Sequence, residues 1–225
     1  MAFEHYIYAD GKQLRCGYTT GTCAALAASG AVQRLLTGVW PETVSLRTPK
    51  GLTVEVPLEH CRMQGDTAQC SVRKDGGDDV DKTTGALIQA SVSLSAPPGV
   101  RIRGGQGVGR VTKPGLDQPV GEAAINRVPR QMIREAVEAA CRTADYDGGA
   151  EVTISVPEGE AIAQKTFNPQ MGIEGGISIL GTSGIVEPMS MQAMIDTMAI
   201  ELRQAAAQGH RKLILTPGNY GQDFL

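Results

Sequence analysis

Four acidic side chains fall within seven residues of the 225-residue chain: Asp75, Asp78, Asp79 and Asp81. Carboxylates at this density can bind a divalent cation, or repel one another until one pKa rises far enough for proton transfer. The segment lacks the Gly and Glu spacing of an EF-hand, and short Asp/Gly runs are usually solvated turns. We therefore predict Asp78, Asp79 and Asp81 as candidate catalytic carboxylates, and we predict no metal site.

A Gly/Thr-rich loop precedes an Ala-rich run over residues 23–36. The loop consists of Thr19, Thr20, Gly21 and Thr22. Free backbone N–H groups at the start of such a helix, together with its dipole, suit a carboxylate or a phosphate. We predict that these four residues bind substrate. An ordinary Thr-capped helix with a tight packing contact is the structural alternative.

Seven basic and two acidic residues lie between Arg101 and Arg134, a net charge of +5 in a chain whose total is −3. The glycines of this segment do not match the G-x-G-x-x-G dinucleotide pattern. We predict a flexible basic loop over residues 101–119 that closes over an anionic ligand, with a solubilising surface hairpin as the alternative. The candidate substrate-binding residues are Arg103, Arg110, Lys113 and Arg130.

Glycine-rich turns in the last third of the chain predict a close approach of the backbone to a ligand. The first turn comprises Gly181, Thr182, Ser183 and Gly184, and Glu187 follows it as a possible partner for a ribose or a sulfonium. The alternative for Glu187 is favourable interaction with the dipole of the helix that begins nearby. The second turn, after a short apolar run, comprises Gly218, Asn219, Tyr220 and Gly221.

These candidates must be positioned by strands and helices that the apolar patterns predict. Strands are expected over residues 14–18, 44–46, 52–56, 68–73, 86–94, 151–156, 177–180 and 213–215. Helices are expected over 23–36, 128–142 and 190–209. We predict an α+β first domain over residues 1–187, with helices on a mixed or antiparallel sheet. Residues 188–225 are expected to begin an α/β, Rossmann-like second domain that is truncated in this chain.

Composition excludes several classes of protein. Aromatic residues make up only 4% of the chain, which argues against a nucleic-acid binder built on base stacking. No apolar run is long enough to span a bilayer. The five cysteines are odd in number and lack Cys-x-x-Cys spacing, which favours reduced thiols in a cytoplasmic protein. His5, His60 and His210 are scattered, and we expect all three at the surface.

Taken together, the motifs resemble the CbiD family, the cobalt-precorrin-5B carbon-1 methyltransferases of anaerobic cobalamin synthesis. The resemblance rests on LRCGYTTGTCAALAA at 14–28, KDGGDDVDKTTG at 74–85, GQGVGRVTKPGL at 105–116, GEAAINRVPRQMI at 121–133, the run from 149 to 190 that includes FNPQMGIEGGISILGTSGIVEPMS, and LTPGNYGQDF at 215–224. Ala123 and Arg127 stand where the family pattern has Pro, which leaves the local turn open.

The resemblance implies S-adenosylmethionine as the methyl donor and an anionic, cobalt-containing tetrapyrrole as the substrate. The cobalt is carried by the substrate only. With this chemistry, we predict that the residues of the two late glycine-rich turns bind the donor and that the Thr and basic residues bind the substrate. Neighbouring corrin-pathway enzymes and a second copy of the chain are expected partners. Nucleic acid and membrane are not.

Two other functions stay open at this point. A non-catalytic carrier of corrinoid intermediates would need the same clamp for an anionic ligand. A small-molecule kinase is suggested by the Gly/Thr loop that leads into an Ala-rich helix, although the chain lacks the serine pair and the upstream Pro of that group.

Overall fold

The computed structural model describes residues 3–9 and 11–212. The four helices in this part of the chain are α1 (Thr20–Thr37), α2 (Arg127–Thr143), α3 (Gly159–Ala163) and α4 (Met191–Ala207). The strands are β1 (Tyr6–Ala9), β2 (Lys12–Arg15), β3 (Gly17–Tyr18), β4 (Thr43–Arg47), β5 (Thr53–Pro57), β6 (Glu59–Gln64), β7 (Thr67–Arg73), β8 (Leu87–Ser95), β9 (Gly99–Gly104), β10 (Gly107–Val108), β11 (Arg110–Val111), β12 (Gly149–Ser155), β13 (Ile173–Glu174), β14 (Gly176–Ile177) and β15 (Ile185–Val186).

A five-stranded mixed sheet forms the centre of the molecule, in the order β6-β7-β8-β12-β9. All neighbouring strands are antiparallel except β12 and β9, which run parallel. Strand β8 shows why the sheet has two different faces. Ile88, Ala90 and Val92 point into the core, and the alternate positions carry polar residues. The predicted mixed α/β character of this part is therefore confirmed.

Helix α1 lies against the apolar face of the sheet and is buried from Thr20 through Val32. Its alanines allow a close approach, so that the Cys70 thiol on β7 donates to the Ala27 carbonyl at 3.1 Å. Helix α2 packs beside α1 through an apolar stripe that includes Ile133 and Val137. The first turns of the two helices meet where Pro129 touches Gly21.

Backbone segments cross closely at one end of the sheet, where β10 pairs in parallel with β14. A Cβ on Gly176 would lie 2.1 Å from the Gly107 carbonyl oxygen, and one on Gly159 would lie 2.0 Å from the same atom. Glycine is thus required by backbone packing within the chain at this crossing.

Sequence patterns located most of these elements within a few residues. Helices α1, α2 and α4 and the hairpin formed by β4 and β5 are confirmed. The predicted strand at 14–18 is divided between β2 and β3, and the one at 177–180 shrinks to the two residues of β14. The sequence patterns missed strands β1, β6 and β9, the two-residue strands β10, β11, β13 and β15, and the short helix α3. Strand β9 corrects the prediction of a flexible basic loop, because residues 99–104 are paired along β12.

Helix α4 begins at the Ser190 cap, whose hydroxyl accepts from the Ala193 N–H at 3.2 Å. Gln204 fixes its second half to the body by donating to the Met171 carbonyl at 2.7 Å. Five of its six large apolar side chains, Met191, Met194, Ile195, Met198 and Leu202, are between 41% and 65% exposed. The predicted strand at 213–215 and the turn at 216–221 lie outside the described residues.

Among the helices of the described part, none is both long and apolar enough to cross a membrane.

Candidate functional site

Three of the sequence motifs meet at the start of α1, at a place we call the motif junction: residues 15–22, 74–81 and 180–187. Strand β3 pairs with β15, which brings Tyr18 opposite Ile185. On the other side, the Tyr18 N–H donates to the Asp75 carbonyl at 2.9 Å. The fold therefore joins segments that are separated by more than 160 residues in the sequence.

The backbone of the Gly/Thr loop is used by the chain itself. The Thr19 N–H donates to Gly184 at 3.1 Å, the Gly21 N–H donates to Leu180 at 3.0 Å, and the Thr22 N–H donates to the Thr19 hydroxyl at 3.2 Å. Thr20 is equally engaged, since its hydroxyl accepts from the Leu180 N–H at 2.9 Å. The prediction of free N–H groups at Thr19, Gly21 and Thr22 is therefore wrong.

This result also removes the physical basis of the kinase alternative, because a phosphate loop needs unoccupied N–H groups. Thr19, Thr20 and Thr22 are at most 5% exposed, and Gly21 is buried as well. Binding of substrate at these residues stays a prediction. Their observed contacts are structural: they anchor the 180–187 segment to the start of α1.

The turn from Gly181 to Gly184 is occupied in the same way. A Cβ on Gly181 would lie 2.3 Å from the Thr19 hydroxyl oxygen, and the Ser183 carbonyl accepts from the Lys50 N–H at 3.0 Å. Thr182 is exposed, and Glu187 forms an ion pair with Lys50. The role of this turn in donor binding stays a prediction, and the geometry gives it a packing role.

Within the motif junction, carboxylates of the acidic loop are paired with Arg15. Asp75 receives two hydrogen bonds from the Arg15 guanidinium, at 2.6 and 2.9 Å. The hydrogen bond from Arg15 holds the pKa of Asp75 below its ordinary range, although partial burial opposes it. Asp78 accepts from the Arg15 N–H at 2.7 Å. The loop therefore folds by pairing its charges with Arg15.

Asp81 forms an ion pair with Lys74, whose side chain is only 2% exposed. Burial alone would raise the pKa of Asp81, but the Lys74 charge and hydrogen bonds from Thr83 outweigh it and lower the pKa. The expected rise in pKa is therefore wrong for Asp81, which is a stable anion. Asp79 is half-buried. Catalytic roles for Asp78, Asp79 and Asp81 stay predictions.

Two of the candidate basic residues, Arg110 and Arg130, hold the segment from Gly121 to Ile125 in place. Arg110 donates to the Gly121 carbonyl at 2.8 Å, and Arg130 donates to the Ile125 carbonyl at 2.8 Å. Partial burial among carbonyl groups lowers the pKa of Arg130. Arg103 is different: its side chain is 67% exposed, and its nearest carboxylate, Glu151, is 3.7 Å away.

Lys113 lies against a different part of the chain, where its ammonium donates to the Gln170 carbonyl at 3.1 Å. Arg103 thus differs from Arg110, Lys113 and Arg130, whose side chains donate to carbonyl groups of the chain. The structure brings Arg110 and Arg130 together through the segment that both hold. It places Lys113 at the 170–172 turn instead.

A cavity of about 360 Å³ opens beside the motif junction. It is lined by Tyr18, Val56, Pro57, Glu59, Arg73, Lys74, Asp75, Thr84 and Gly85. Sequence reasoning missed Tyr18, Glu59, Arg73 and Lys74 as site residues, because no spacing relates β3, β6 and the end of β7. The available signal was that Tyr18 and Lys74 lie within two of the quoted motifs.

The cysteines, histidines and carboxylates of the described residues form no metal-ligand cluster. No cluster of three or more His, Cys, Asp or Glu side chains within 3–9 and 11–212 is arranged to hold a metal ion. All five cysteines are free thiols, and Cys61 alone among them is exposed. His60 and His210 are exposed and His5 is half-buried, so the expectation of a surface position holds fully for two of the three.

The fold and its motif junction define a mixed α/β protein in which glycine-rich motifs are fastened around the start of one buried helix. The CbiD family model matches residues 7–188. The chain belongs to the CbiD family, and the resemblance predicted from the motifs is confirmed.

Similar proteins carry a specific name. The chain is 49% identical over 221 residues to a cobalt-precorrin-5B C(1)-methyltransferase of Ruminiclostridium cellulolyticum, covering 98% of this chain and 57% of that protein. It is 52% identical over 213 residues to the protein of the same name from Geobacillus kaustophilus, covering 95% of this chain and 57% of that one. The chain thus spans less than two thirds of the length of these curated relatives.

A solved structure shares the fold. The 1.9 Å crystal structure of a cobalamin biosynthesis protein (CbiD) from Archaeoglobus fulgidus has a TM-score of 0.63 and 36% sequence identity. The match covers 87% of this chain and 62% of that one.

Proposed function

We propose that this chain acts in the methylation of carbon 1 of cobalt-precorrin-5B, with S-adenosylmethionine as methyl donor and cobalt-precorrin-6A as product. The observation that carries the proposal is identity of about half of all positions with proteins named for this reaction, over nearly the whole chain. The cobalt enters and leaves as part of the substrate.

The reaction makes modest demands on the side chains. A sulfonium supplies an activated methyl group: the C–S bond breaks as the bond to ring carbon forms, and S-adenosylhomocysteine leaves. The protein has to bind both molecules in line and exclude water. The absence of a catalytic triad among the predicted residues agrees with this requirement. An Asp of the 78–81 segment is the proposed acceptor for any proton that is released.

The exposed basic residues support an anionic substrate. A corrin precursor carries several acetate and propionate groups, and a guanidinium binds a carboxylate through two parallel hydrogen bonds. Arg103 on β9 has the exposure that such a contact needs. Arg110, Lys113 and Arg130 bind carbonyl groups of the chain, and their remaining N–H groups are the proposed substrate contacts.

We also propose that residues 188–225 begin an α/β, Rossmann-like domain. The support is the exposed apolar stripe of α4, from Met191 to Leu202. Covering apolar surface stabilises a protein by about 25 cal/mol for each Å² removed from water. Gly218, Asn219, Tyr220 and Gly221 are then proposed donor contacts within that domain.

A corrinoid carrier is the second candidate, because it needs the same basic surface for an anionic ligand. The exposed Arg103 side chain could serve binding without any reaction. The carrier would bind cobalt-precorrin-5B tightly and transfer no methyl group. Corrin-pathway enzymes would then be its partners.

An anaerobic assay with methyl-labelled S-adenosylmethionine and cobalt-precorrin-5B separates the two candidates. We expect label in the macrocycle with this chain, and the Geobacillus kaustophilus relative serves as the positive control. Unlabelled macrocycle in the presence of tight corrin binding would instead establish the carrier. Failure of both transfer and binding, with an active control, would reject both functions.

A further inference from the structure

We infer that the methyl donor binds with its adenosine in the cavity between Tyr18, Pro57 and Thr84, rather than at the turn from Gly181 to Gly184. The inference rests on the proposed function and specifies which residues of this chain bind the donor. It comes from three features of the cavity: an apolar floor, a rim of paired charges and enough volume for a nucleoside.

The floor of the cavity is apolar and pre-formed. Val56 and Tyr18 are each only 6% exposed, and the Tyr18 hydroxyl is fixed by donating to the Arg73 carbonyl at 3.0 Å. Burial raises the pKa of Tyr18, so its hydroxyl stays a neutral donor. A purine ring gains most from such a surface, because it is flat and apolar on both faces.

The charges around the cavity are already paired. Arg73 makes two hydrogen bonds to Glu59, at 3.0 and 2.6 Å, and also donates to the Gly85 carbonyl at 3.1 Å. Lys74 is paired with Asp81 and Asp75 with Arg15. A substrate with many carboxylates would have to displace these partners, so the cavity does not suit the tetrapyrrole.

A methyl donor has the opposite requirements. Its ribose needs acceptor oxygens for two hydroxyls, and its sulfonium is attracted by carboxylates. Glu59 and Asp75 line the cavity, and their carboxylate oxygens keep lone pairs that the pairing with arginine leaves free. The cavity volume of about 360 Å³ lies within the usual range for small-ligand sites. Size, apolarity and charge therefore all fit the adenosine part of the donor.

The turn from Gly181 to Gly184 offers less room. Gly181 and Gly184 both pack against α1 and its cap, and the carbonyl groups of Ser183 and Gly184 accept hydrogen bonds from the chain itself. A ligand at this turn would have to break contacts that fasten the motif junction. The cavity requires no such rearrangement.

The test compares two exposed threonines in glycine-containing turns, Thr84 at the cavity and Thr182 at the competing turn. S-adenosylhomocysteine is titrated calorimetrically into the 225-residue protein and into the variants Thr84→Trp and Thr182→Trp. We expect Thr84→Trp to weaken binding at least tenfold by filling the cavity, and Thr182→Trp to change it less than twofold. Thermal unfolding of both variants checks that each is folded.

A reversed pattern, or equal affinity in all three proteins, would overturn the inference. So would the absence of binding to the parent protein. A measurement that needs no variant is the shift of the Val56 methyl resonances on adding S-adenosylhomocysteine, which we expect to exceed that of the Val39 methyls. The labelled-methyl assay on this chain, with the longer relative as its positive control, judges the proposed function independently of these results.

Discussion

The Thr22 hydroxyl donates to the Gly184 carbonyl at 2.6 Å across 162 residues of sequence, inside the buried start of α1. The same carbonyl accepts from the Thr19 N–H at 3.1 Å. A buried carbonyl with two donors is fully satisfied, and breaking either contact leaves a polar group without water. The motif junction is therefore held by hydrogen bonds whose partners lie in different parts of the sequence.

Gly184→Ala should destabilise the protein strongly. Gly184 has a φ of +79°, and an added Cβ would lie 2.8 Å from the Thr48 Cβ. Backbone strain and overpacking together are expected to lower the free energy of unfolding by about 3 kcal/mol. Gly175→Ala is the matched control, since φ is +78° there and no atom lies within 4 Å of the added Cβ. Urea unfolding that gave equal losses for both would contradict the packing argument.

Thr22→Val should cost about 1.5 kcal/mol of unfolding free energy, because the shape is kept while the hydrogen bond to Gly184 is lost. Thr197→Val is the control: its hydroxyl donates to the Ala193 carbonyl at 2.9 Å on the exposed surface of α4. We expect the control to change stability by less than half of that amount. Chemical denaturation at neutral pH measures both, and a larger loss in the control would refute the assignment.

Sequence patterns predicted α2 well because its apolar residues, such as Ile133 and Val137, recur on one face. Strand β9 was missed for a physical reason. It is an edge strand whose exposed positions carry Arg101 and Arg103, and charges at an edge discourage aggregation while hiding the strand pattern. Its alternation with Val100 and Ile102 was the available signal.

The site could be predicted only in part. The sequence motifs correctly marked segments that the fold brings together, but glycine and threonine do not reveal whether their N–H groups face a ligand or another segment. Thr20 and Leu180 are partners because of the tertiary fold. The pairing of Lys74 with Asp81 was equally hidden, since an acidic run gives no sign of which carboxylate meets a buried cation.

Asp81→Asn should remove about 3 kcal/mol of stability at neutral pH, because it leaves the buried Lys74 ammonium without its carboxylate. The pKa of Asp81 is lowered from its ordinary value of 3.8, so the stability from this pair is complete above that value and is lost as the pH falls through the folded-state pKa. The variant should therefore lose stability less steeply than the parent below about pH 4.

Asp147→Asn, at an exposed position, is the control for the loss of one carboxylate and should change the free energy of unfolding at neutral pH by less than about 0.5 kcal/mol. Urea unfolding between neutral and acidic pH measures both variants. An Asp81→Asn protein with the parent's acid dependence would show that the pair does not contribute to it.

Arg103→Gln should weaken binding of cobalt-precorrin-5B without weakening the fold. The Arg103 side chain is 67% exposed, and its guanidinium comes no closer than 3.7 Å to the Glu151 carboxylate. Because such an exposed, long ion pair contributes little, the folded protein loses little stability when the charge is removed. If Arg103 meets a substrate carboxylate, the loss in binding is expected to be about 1 kcal/mol, or roughly fivefold in Kd. Salt should reduce the difference between variant and parent, since an exposed ion pair is screened.

Arg142→Gln, exposed on α2 but outside the basic segment, is the control, and anaerobic absorbance titrations measure all three proteins. Equal weakening by both substitutions would indicate a general electrostatic effect and would remove Arg103 from the substrate site.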